Sequence, residues 1–285
     1  MENSKKKLLI FLSIILVLLI CLFLYARFIS TSGLVVKEYK ITNSKITDNF
    51  HGTKVIHISD LHYGTIINKN RLKNVIDKIN YIEPDIVVFT GDLIDRNFEI
   101  NNEDIKNIVT ELKRIKPNLG NYAILGTHDV ENNNIRQIFY QSNFILLEDD
   151  IEEIYKNDNN PILITGLSTL KLENNIQSKI EKTQDHLEKL EDEHYHILIA
   201  HEPDIVKDLD LEMFDIVMAG HSLNGQVRLP ILGATVLPNG AKTYYENKYI
   251  IDGTELYISS GLGTTKLNIR LFNRPSINFY RLTNK

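Results

Sequence analysis

The sequence predicts an α/β fold with buried, largely parallel strands, preceded by one N-terminal transmembrane helix. From Thr53 onward, short runs rich in valine and isoleucine alternate with amphipathic, helix-patterned stretches, and this alternation is typical of βαβ units. Ahead of them lies an apolar run at residues 8–26 that only Ser13 interrupts. A chain of 285 residues is long enough, once that run is set aside, for one large domain or two small ones.

The N-terminal run has the length of a signal anchor. A helix needs roughly 20 apolar residues to cross a bilayer. The apolar core of a signal peptide has about 7–15 and precedes a small-x-small cleavage site, which "CLFLYARF" does not offer. A buried soluble helix would carry polar positions on one face, and this run has none. We therefore predict a cytoplasmic tail at 1–7, a transmembrane anchor at 8–26, a linker and lead-in at 27–50, and a domain at 51–285.

Charge sets the expected orientation of this single-pass protein. Residues 5–7 are three lysines, and positive residues favour the cytoplasmic side of a membrane. The domain is therefore expected outside the cytoplasm at the cell membrane, although Arg27 and Lys37 weaken that assignment.

The net charge of -5 and the lack of a basic stripe with interleaved aromatics give no reason to expect nucleic acid as a partner. The single cysteine, Cys21, excludes an internal disulfide.

The elements follow one another in a regular order. "KVIHIS" is strand-like, and "NRLKNVIDKINYI" has the apolar spacing of a helix. The strand "DIVVFT", the helix "NEDIKNIVTELKRI" and the strand "NYAILG" come next. A charged segment at 177–192 predicts a surface helix, and "YHILIAH" and "DIVMAGH" predict two further buried strands. After Gly225, short runs with glycine, proline and asparagine predict β-hairpins.

Polar side chains follow five of these strands at the point where each strand ends. The positions are Asp60 and His62, then Asp92 and Asp95, then Thr127, His128 and Asp129, then His201 and Glu202, and finally His221. Because the carboxyl ends of strands in an open α/β sheet converge at one edge, these side chains should meet there. Carboxylates and imidazoles gathered in this way suit a pair of divalent metal ions.

Each of these residues also has an ordinary structural interpretation. A single aspartate after a strand is most often a helix N-cap or a turn former. Asp95 could cap the helix that starts near Asn101, and Asp129 could cap the next one. The remaining histidines lie in strand interiors, in a loop or in the charged segment, and we interpret them as ordinary surface or core residues: His51, His57, His186, His194 and His196.

The ordered motifs resemble a known family. D-x-H, GDxxD, G-x-H-D, a strand-final histidine and G-H before a Gly-Gln turn are similar to the calcineurin-like metallophosphoesterases over residues 54–282. "GQVRLPILGA" and "SSGLGTTKLNIRLFNRPSINFYRL" resemble the membrane-anchored bacterial branch that includes UDP-diacylglucosamine pyrophosphohydrolase-like members. The resemblance implies a four-layer α/β/β/α sandwich that hydrolyses a phosphomonoester, a phosphodiester or a pyrophosphate, with a lipid-linked substrate as one candidate.

The resemblance also implies a role for each motif residue. Asp60 and His62 would hold the first of two divalent metal ions (Mn, Fe, Zn or Mg), and Asp92 would bridge both. His201 and His221 would hold the second ion. His128 would act as general acid or orient the phosphate, and Asp95 would position His128.

Two positions depart from the family pattern. Thr127 stands where the family has a metal-binding asparagine, and Leu223 stands where it has a metal-binding histidine; Ser276 replaces a more distant glutamate. Asn224 could lend an amide oxygen, but turn chemistry already explains it. Three hypotheses stay open: an enzyme whose activity Thr127 and Leu223 reduce, a catalytically inactive binding module on the same scaffold, and a purely structural α/β domain.

Overall fold

A computed structural model describes residues 2–157, 159–171, 181, 183–186 and 193–285. The surface helix predicted at 177–192 lies mostly outside the described residues. The chain begins with α1 (Glu2–Leu24), which continues into one π-helical turn, Tyr25–Ile29. Within the described residues, the span Asn3–Ile29 is the one helix long and apolar enough to cross a membrane. At 1.5 Å per residue it is about 40 Å long, which exceeds the roughly 30 Å hydrocarbon core of a bilayer.

The first of two six-stranded sheets has the order β1-β14-β2-β3-β4-β5. Its strands are β1 (Val35–Thr42), β2 (Lys54–Ile58), β3 (Ile86–Phe89), β4 (Gly120–Ala123), β5 (Ile145–Leu146) and β14 (Ser276–Thr283). Strands β2 to β5 are parallel, whereas β14 pairs antiparallel with β2 and parallel with β1. The parallel βαβ core that the alternation predicts is therefore present.

The strand β1 lies within residues 27–50, where the sequence predicted a linker and lead-in. All eight of its residues pair with β14, from Val35 with Ser276 to Thr42 with Thr283. Periodicity did not reveal this strand, because it lies at an edge and alternates only weakly between exposed and buried side chains. The folded domain therefore begins within a few residues of the end of the apolar helix.

Three helices cover the outer face of the first sheet. They are α2 (Lys69–Ile82), α3 (Asn102–Leu112) and α4 (Asn134–Gln141). Asn68 caps α2 by accepting the Arg71 N–H, and Asn101 forms a capping box with Asp104 at the start of α3. Since Asn101 caps α3, Asp95 is not its cap, and the residue at the N-cap position of α4 is Asn133, not Asp129.

The second sheet has the order β12-β13-β9-β8-β7-β6. Its strands are β6 (Asp150–Ile154), β7 (Ile162–Gly166), β8 (His196–Ala200), β9 (Ile216–Ala219), β12 (Lys248–Ile251) and β13 (Thr254–Ile258). A small hairpin, β10 (Arg228–Leu229) with β11 (Gly233–Ala234), stands apart from both sheets. This hairpin and the β12–β13 pair are the hairpins predicted after Gly225.

Apolar side chains alternate between two faces of each sheet and so build successive layers. Val55 and Val88 of the first sheet pack against Ile197 and Met218 of the second. Their neighbours on the opposite face, such as Ile56 of β2, pack under the helices. The outer face of the second sheet packs on short 3₁₀ turns, Pro203–Asp208 and Leu211–Met213. The layers are, in order, the helices α2–α4, the first sheet, the second sheet and the short 3₁₀ turns. The predicted α/β/β/α sandwich is therefore confirmed.

Candidate metal centre

The carboxyl ends of the central strands meet where the two sheets approach each other. The Asp60 N–H donates to the Gly91 carbonyl at 2.9 Å, and the Gly220 N–H donates to the His201 carbonyl at 3.1 Å. Each of these bonds joins two strand ends within one sheet. Between the sheets, the His221 N–H donates to Asp60 Oδ2 at 3.0 Å and His201 Nδ1 lies 2.6 Å from the Thr90 carbonyl oxygen, so the side chains of these loops face a common space. The predicted convergence of five strand ends is therefore present in the structure.

Four of the candidate ligands have left-handed backbone conformations. The φ angles are 50° at Asp60, 44° at His62, 60° at Asp92 and 63° at His221. Left-handed conformations are uncommon outside glycine and cluster at functional sites, where the surrounding structure holds them in place. At these four positions the left-handed backbone directs the side chain toward the interior of the site.

One group of side chains surrounds His62. Its Nε2 lies 3.8 Å from Asp60 Oδ1 and 3.8 Å from Asp92 Oδ2. Asp60 Oδ1 is buried without a hydrogen-bond partner, whereas its Oδ2 accepts the Ser59 hydroxyl at 2.6 Å and the His221 N–H at 3.0 Å. A buried carboxylate oxygen without a donor is destabilising unless a cation occupies the space in front of it. The three atoms fit the first metal position.

A second group consists of Asp92, His201 and His221. Each histidine has one ring nitrogen facing a backbone carbonyl: His201 Nδ1 lies 2.6 Å from Thr90 O, and His221 Nε2 lies 2.8 Å from Asn239 O. A carbonyl only accepts, so these two nitrogens carry the protons. The remaining nitrogens, His201 Nε2 and His221 Nδ1, then present lone pairs to each other at 3.1 Å.

Asp92 completes this second group, since its Oδ2 lies 3.3 Å from His201 Nε2. Two imidazole lone pairs and a carboxylate oxygen repel one another unless a cation lies between them. Hydrogen bonds from outlying carbonyls to metal-bound histidines are a usual way to set the tautomer and orient the ring. The residues present therefore fit a divalent metal ion at this position also, with Asp92 common to both groups.

The pKa shifts show which of these side chains binds a proton in the position that a metal ion would otherwise occupy. Burial alone would lower the pKa of His201, but the Asp92 carboxylate beside it outweighs burial and holds that pKa well above its usual value. Burial would likewise raise the pKa of Asp92, yet His201, His62 and His128 hold it well below the usual value. A proton on His201 thus takes the place that a metal ion would take.

The other members of the site are shifted chiefly by burial. Burial raises the pKa of Asp60 to about 6, against the attraction of His201. It lowers the pKa of His62 to about 3 and also lowers the pKa of His128, which Asp92 partly offsets. Both of these imidazoles are therefore neutral near pH 7 and can offer a lone pair or donate one hydrogen bond.

His128 lies at the edge of the first group. Its backbone N–H donates to Asp92 Oδ1 at 2.7 Å, and its Nδ1 lies 3.9 Å from Asp92 Oδ2. Its ring is tilted against that of His62, with 4.8 Å between the centroids. Since the side chain remains partly exposed while His62 is buried, His128 stands between the buried carboxylates and solvent.

Asp95 lies close to His62. Its Oδ2 lies 3.8 Å from His62 Nδ1, and its other oxygen accepts the Asn97 N–H at 3.0 Å. The backbone explains this position, because the Asp95 N–H donates to the Tyr63 carbonyl at 3.1 Å and so binds the segment to the loop that carries His62. Asp95 also acts on His128, because its negative charge works against the lowering of the His128 pKa by burial. Its predicted role in positioning His128 stays a prediction.

The two substituted positions adjoin the two groups. Leu223 is buried, with a φ of 50°, and its Cδ2 and the Asp60 Cβ both lie beside Gly261. An apolar side chain therefore lies near Asp60, next to Gly261. Thr127 has a buried hydroxyl without a hydrogen-bond partner, and its carbonyl accepts from Lys171 Nζ at 3.2 Å.

Several residues that support the site were not predicted from the sequence. The Asp129 carboxylate accepts the backbone N–H groups of Asp92, Leu93 and Gly126 at 2.7–2.9 Å. It therefore holds the Asp92 loop against the next strand end and does not act as a helix cap. Gly126 allows that approach, because a Cβ there would lie 2.3 Å from Asp92 Oδ1. The carbonyls of Thr90 and Asn239, which orient the two histidines, could not be predicted from the sequence, because every residue has a backbone carbonyl.

A two-sheet α/β sandwich that gathers aspartates and histidines into two groups around one shared carboxylate has the architecture of a metal-dependent hydrolase. Comparison with known proteins specifies the class further. A model of the calcineurin-like phosphoesterase family matches residues 53–225, and the chain belongs to that family. The family uses divalent metal ions. Two sets of side chains have ligand atoms close enough to hold one ion: His62, Asp92 and His128, and Asp92, His201 and His221. Asp60 Oδ1 adjoins the first set, 3.8 Å from His62 Nε2.

Relatives extend the match over most of the chain. An uncharacterised metallophosphoesterase of Bacillus subtilis, YkuE, is 29% identical over 261 residues, covering 90% of this chain and 88% of its own. A zebrafish (Danio rerio) transmembrane protein with a metallophosphoesterase domain is 24% identical, over 85% of this chain and 56% of its own. A solved calcineurin-like phosphoesterase, YfkN of Bacillus subtilis, aligns with 74% of this chain and 81% of its own, at 12% identity and a TM-score of 0.43.

Proposed function

We propose that the protein is a membrane-anchored, metal-dependent phosphoesterase that hydrolyses a phosphomonoester, phosphodiester or pyrophosphate bond. The observation that carries this proposal is the sharing of Asp92 Oδ2 between the two ligand groups, one with His62 Nε2 at 3.8 Å and one with His201 Nε2 at 3.3 Å. An anion common to two cations offsets their mutual repulsion, which is the requirement of a two-metal hydrolytic site.

Each residue then has a defined task. Bound divalent ions would acidify a water molecule and compensate charge on the phosphoryl oxygens. Asp60 and His62 would hold a metal ion at the first position, and His201 and His221 would hold one at the second. The carbonyls of Thr90 and Asn239 orient the rings of His201 and His221. His128, neutral and partly exposed, orients the phosphoryl group or protonates the leaving oxygen.

The apolar helix supports the membrane part of the proposal. It is followed directly by the domain, and the zebrafish relative is named a transmembrane protein. We propose a single-pass protein of the cell membrane with the domain outside the cytoplasm, as residues 5–7 favour. A site tethered in this way suits a lipid-linked phosphoester, as in the UDP-diacylglucosamine pyrophosphohydrolase-like branch that the closing segments resemble.

A phosphodiesterase assay tests the catalytic proposal. Full-length protein in detergent, supplied with Mn²⁺, should hydrolyse bis-p-nitrophenyl phosphate, and the Asp92→Ala variant should not, because it lacks the carboxylate common to both groups. Assays should extend to Fe, Zn and Mg and to monoester and pyrophosphate substrates. Turnover no greater than that of Asp92→Ala under all of these conditions would refute the enzyme.

A second candidate function rests on Leu223 and Thr127. With an apolar side chain beside Asp60, the scaffold could bind a ligand without turning it over, as an inactive binding module in the cell envelope. The double variant Thr127→Asn/Leu223→His distinguishes the two functions. An inert wild type together with an active double variant would favour the binding module, whereas comparable turnover by both would exclude it.

A further inference from the structure

The small hairpin β10–β11 presents an apolar tip that no other described part of the chain covers. Leu229, Pro230, Ile231 and Leu232 are exposed, with Ile231 fully exposed and Leu232 exposed to 77%. Phe272, exposed to 57%, lies against the hairpin and lines one shallow depression with it. Leu267, on the same segment as Phe272, is also exposed. We call these six residues the apolar patch. Contiguous exposed apolar surface of this kind marks a contact with a protein or a membrane.

The apolar patch is attached to the end of the apolar helix. The Arg270 N–H donates to the Ala26 carbonyl at 3.0 Å, which binds the segment carrying Leu267 and Phe272 to the last turn of that helix. The same segment pairs with the hairpin, since the Arg228 N–H donates to the Leu271 carbonyl at 3.0 Å. Gln226 closes the arrangement by donating to the carbonyls of Leu267 and Ile269. Helix end, segment and hairpin thus form one hydrogen-bonded unit.

The patch and the helix end share an edge with the candidate metal centre. Val35 pairs with Ser276 while Asn278 already pairs with His57, so β1 starts beyond the carboxyl end of β2. Asp60 lies at that end, and its carbonyl accepts the Gly263 N–H at 2.8 Å. The helix therefore enters the domain on the side where the metal ligands lie.

Basic side chains flank the patch. Lys266 and Arg274 are exposed, and the Arg274 side chain lies over Gly33, just after the helix. Arg27 lies in the last turn of the helix itself. An apolar tip with flanking lysine and arginine is the composition of a segment that lies in the interface of an anionic bilayer. A protein partner would not explain why this surface is continuous with a helix of membrane-spanning length.

We propose that the apolar patch is a membrane-contact surface that inserts into the outer leaflet of the bilayer crossed by the N-terminal helix. The contact holds the domain in a fixed orientation, with the candidate metal centre facing the lipid headgroups. The inference rests on the membrane anchoring proposed above, and it deepens the proposed function by directing the site toward phosphoesters at the bilayer surface.

Depth-dependent fluorescence quenching tests the contact without any reliance on activity. Full-length Cys21→Ser/Ile231→Cys protein is labelled with an environment-sensitive dye and reconstituted into vesicles whose lipids carry a quencher on the acyl chain. The natural Cys21, labelled in the wild type, reports on the helix. The matched controls are Tyr81→Cys and Tyr140→Cys, each in the Cys21→Ser background, since both tyrosines are exposed in the last turns of α2 and α4. These helix ends point away from the edge that carries the site.

The dye at position 231 should be quenched nearly as strongly as the dye at Cys21, while dyes at positions 81 and 140 should not. Quenching at Cys21 without quenching at position 231 would overturn the membrane contact and leave the anchor intact. Efficient crosslinking between two Ile231→Cys chains, with no quenching, would instead assign the patch to a second copy of the chain and overturn the proposal. Both outcomes are measured by quenching and crosslinking, so they do not depend on whether the protein hydrolyses phosphodiesters.

Discussion

At Asp92, the two oxygens of one carboxylate have separate tasks. Oδ1 accepts the His128 N–H at 2.7 Å, and Oδ2 faces His62, His128 and His201 at 3.3–3.9 Å. The oxygen that faces the histidines is the one available to cations, while the other fixes the orientation of the side chain. Asp129 in turn holds the Asp92 backbone. The metal position is therefore determined before any metal binds, which reduces the cost of ordering the ligands.

Protons compete with metal ions for these residues, and this predicts a pH dependence of affinity. The Asp60 carboxyl, with a pKa raised to about 6, is protonated below that pH, and His201, with a pKa well above its usual value, holds a proton near neutrality. Mn²⁺ must displace both protons, so its affinity should rise with pH through about 6, by up to about tenfold per pH unit for each displaced proton.

Titration calorimetry of Mn²⁺ binding across this pH range, in buffers of different ionisation enthalpy, measures both the affinity and the protons released. Asp60→Asn serves as control and should make the rise near pH 6 less steep, because only the His201 proton is then displaced. An affinity that does not change with pH would contradict the assignment of Asp60 and His201 as ligands.

Leu223 predicts a gain of affinity on substitution. A histidine there would place an imidazole beside Asp60, in space that the leucine side chain now fills, and should raise Mn²⁺ affinity of the first group about 10–100-fold. The control is Leu223→Met, which keeps the volume without adding an imidazole. If Leu223→His bound Mn²⁺ no more tightly than Leu223→Met, this position would not adjoin the first metal ion.

Among the elements, the loop after β11 shows how a distant residue supports a ligand. The Asp204 carboxylate accepts the N–H groups of Lys242, Thr243 and Tyr244 at 2.9–3.2 Å, and the Asp204 N–H donates to the Gly240 carbonyl at 2.8 Å. The loop so held carries the Asn239 carbonyl that orients His221. A residue of a short 3₁₀ turn thus determines which nitrogen of His221 is available.

Asp204→Ala should weaken Mn²⁺ binding at the second group about 10-fold or more, because the carbonyl that sets the His221 tautomer loses its support. Asp210→Ala is the matched control, since Asp210 accepts one backbone N–H, that of Glu212, on the neighbouring turn. Calorimetry of Mn²⁺ binding to both variants measures the two affinities. Thermal unfolding shows whether the substitutions lower stability to the same extent. Equal affinities in the two variants would contradict the role of this loop.

The elements also show what could be predicted from the sequence. Strand ends, helices and the meeting of Asp60 with Asp92 follow from local periodicity and from the geometry of a parallel sheet. His201 follows β8 of the second sheet, so its approach depends on how the two sheets pack, which periodicity does not give. The pairing of β1 with β14 does not follow from periodicity either, because it joins the first and last strands, and periodicity carries no information on contacts so far apart in sequence. Asp95 lies by His62 for a similar reason, since a backbone hydrogen bond to Tyr63 sets its place.

For the whole molecule, the central feature is the short connection between the apolar helix and the domain. Ala26 is already hydrogen-bonded to Arg270, and Arg71 donates to Thr31 and Ser32 immediately after the helix. The domain therefore has little freedom to move relative to the helix. Since the candidate metal centre lies at the same edge, the distance of the site from a bilayer is restricted as well.

A flexible Gly-Ser linker of about 12 residues, inserted between Ile29 and Ser30, should release the domain from the helix. Hydrolysis of a phospholipid substrate in the same vesicle should then slow, while hydrolysis of a soluble diester should not change, because the insertion lies outside the metal ligands. Comparing the two rates in wild type and variant measures the effect. A loss of both rates, or of neither, would contradict the role of the short connection.

The most direct test of the central claim is the metal content of the purified protein. Full-length wild type, loaded with Mn²⁺ and then dialysed, should retain about two ions per chain, because two groups of ligands share one carboxylate. Asp92→Ala should retain neither ion, since its substitution removes a ligand from both groups at once. Elemental analysis showing that the wild type retains no more metal than Asp92→Ala would contradict the account.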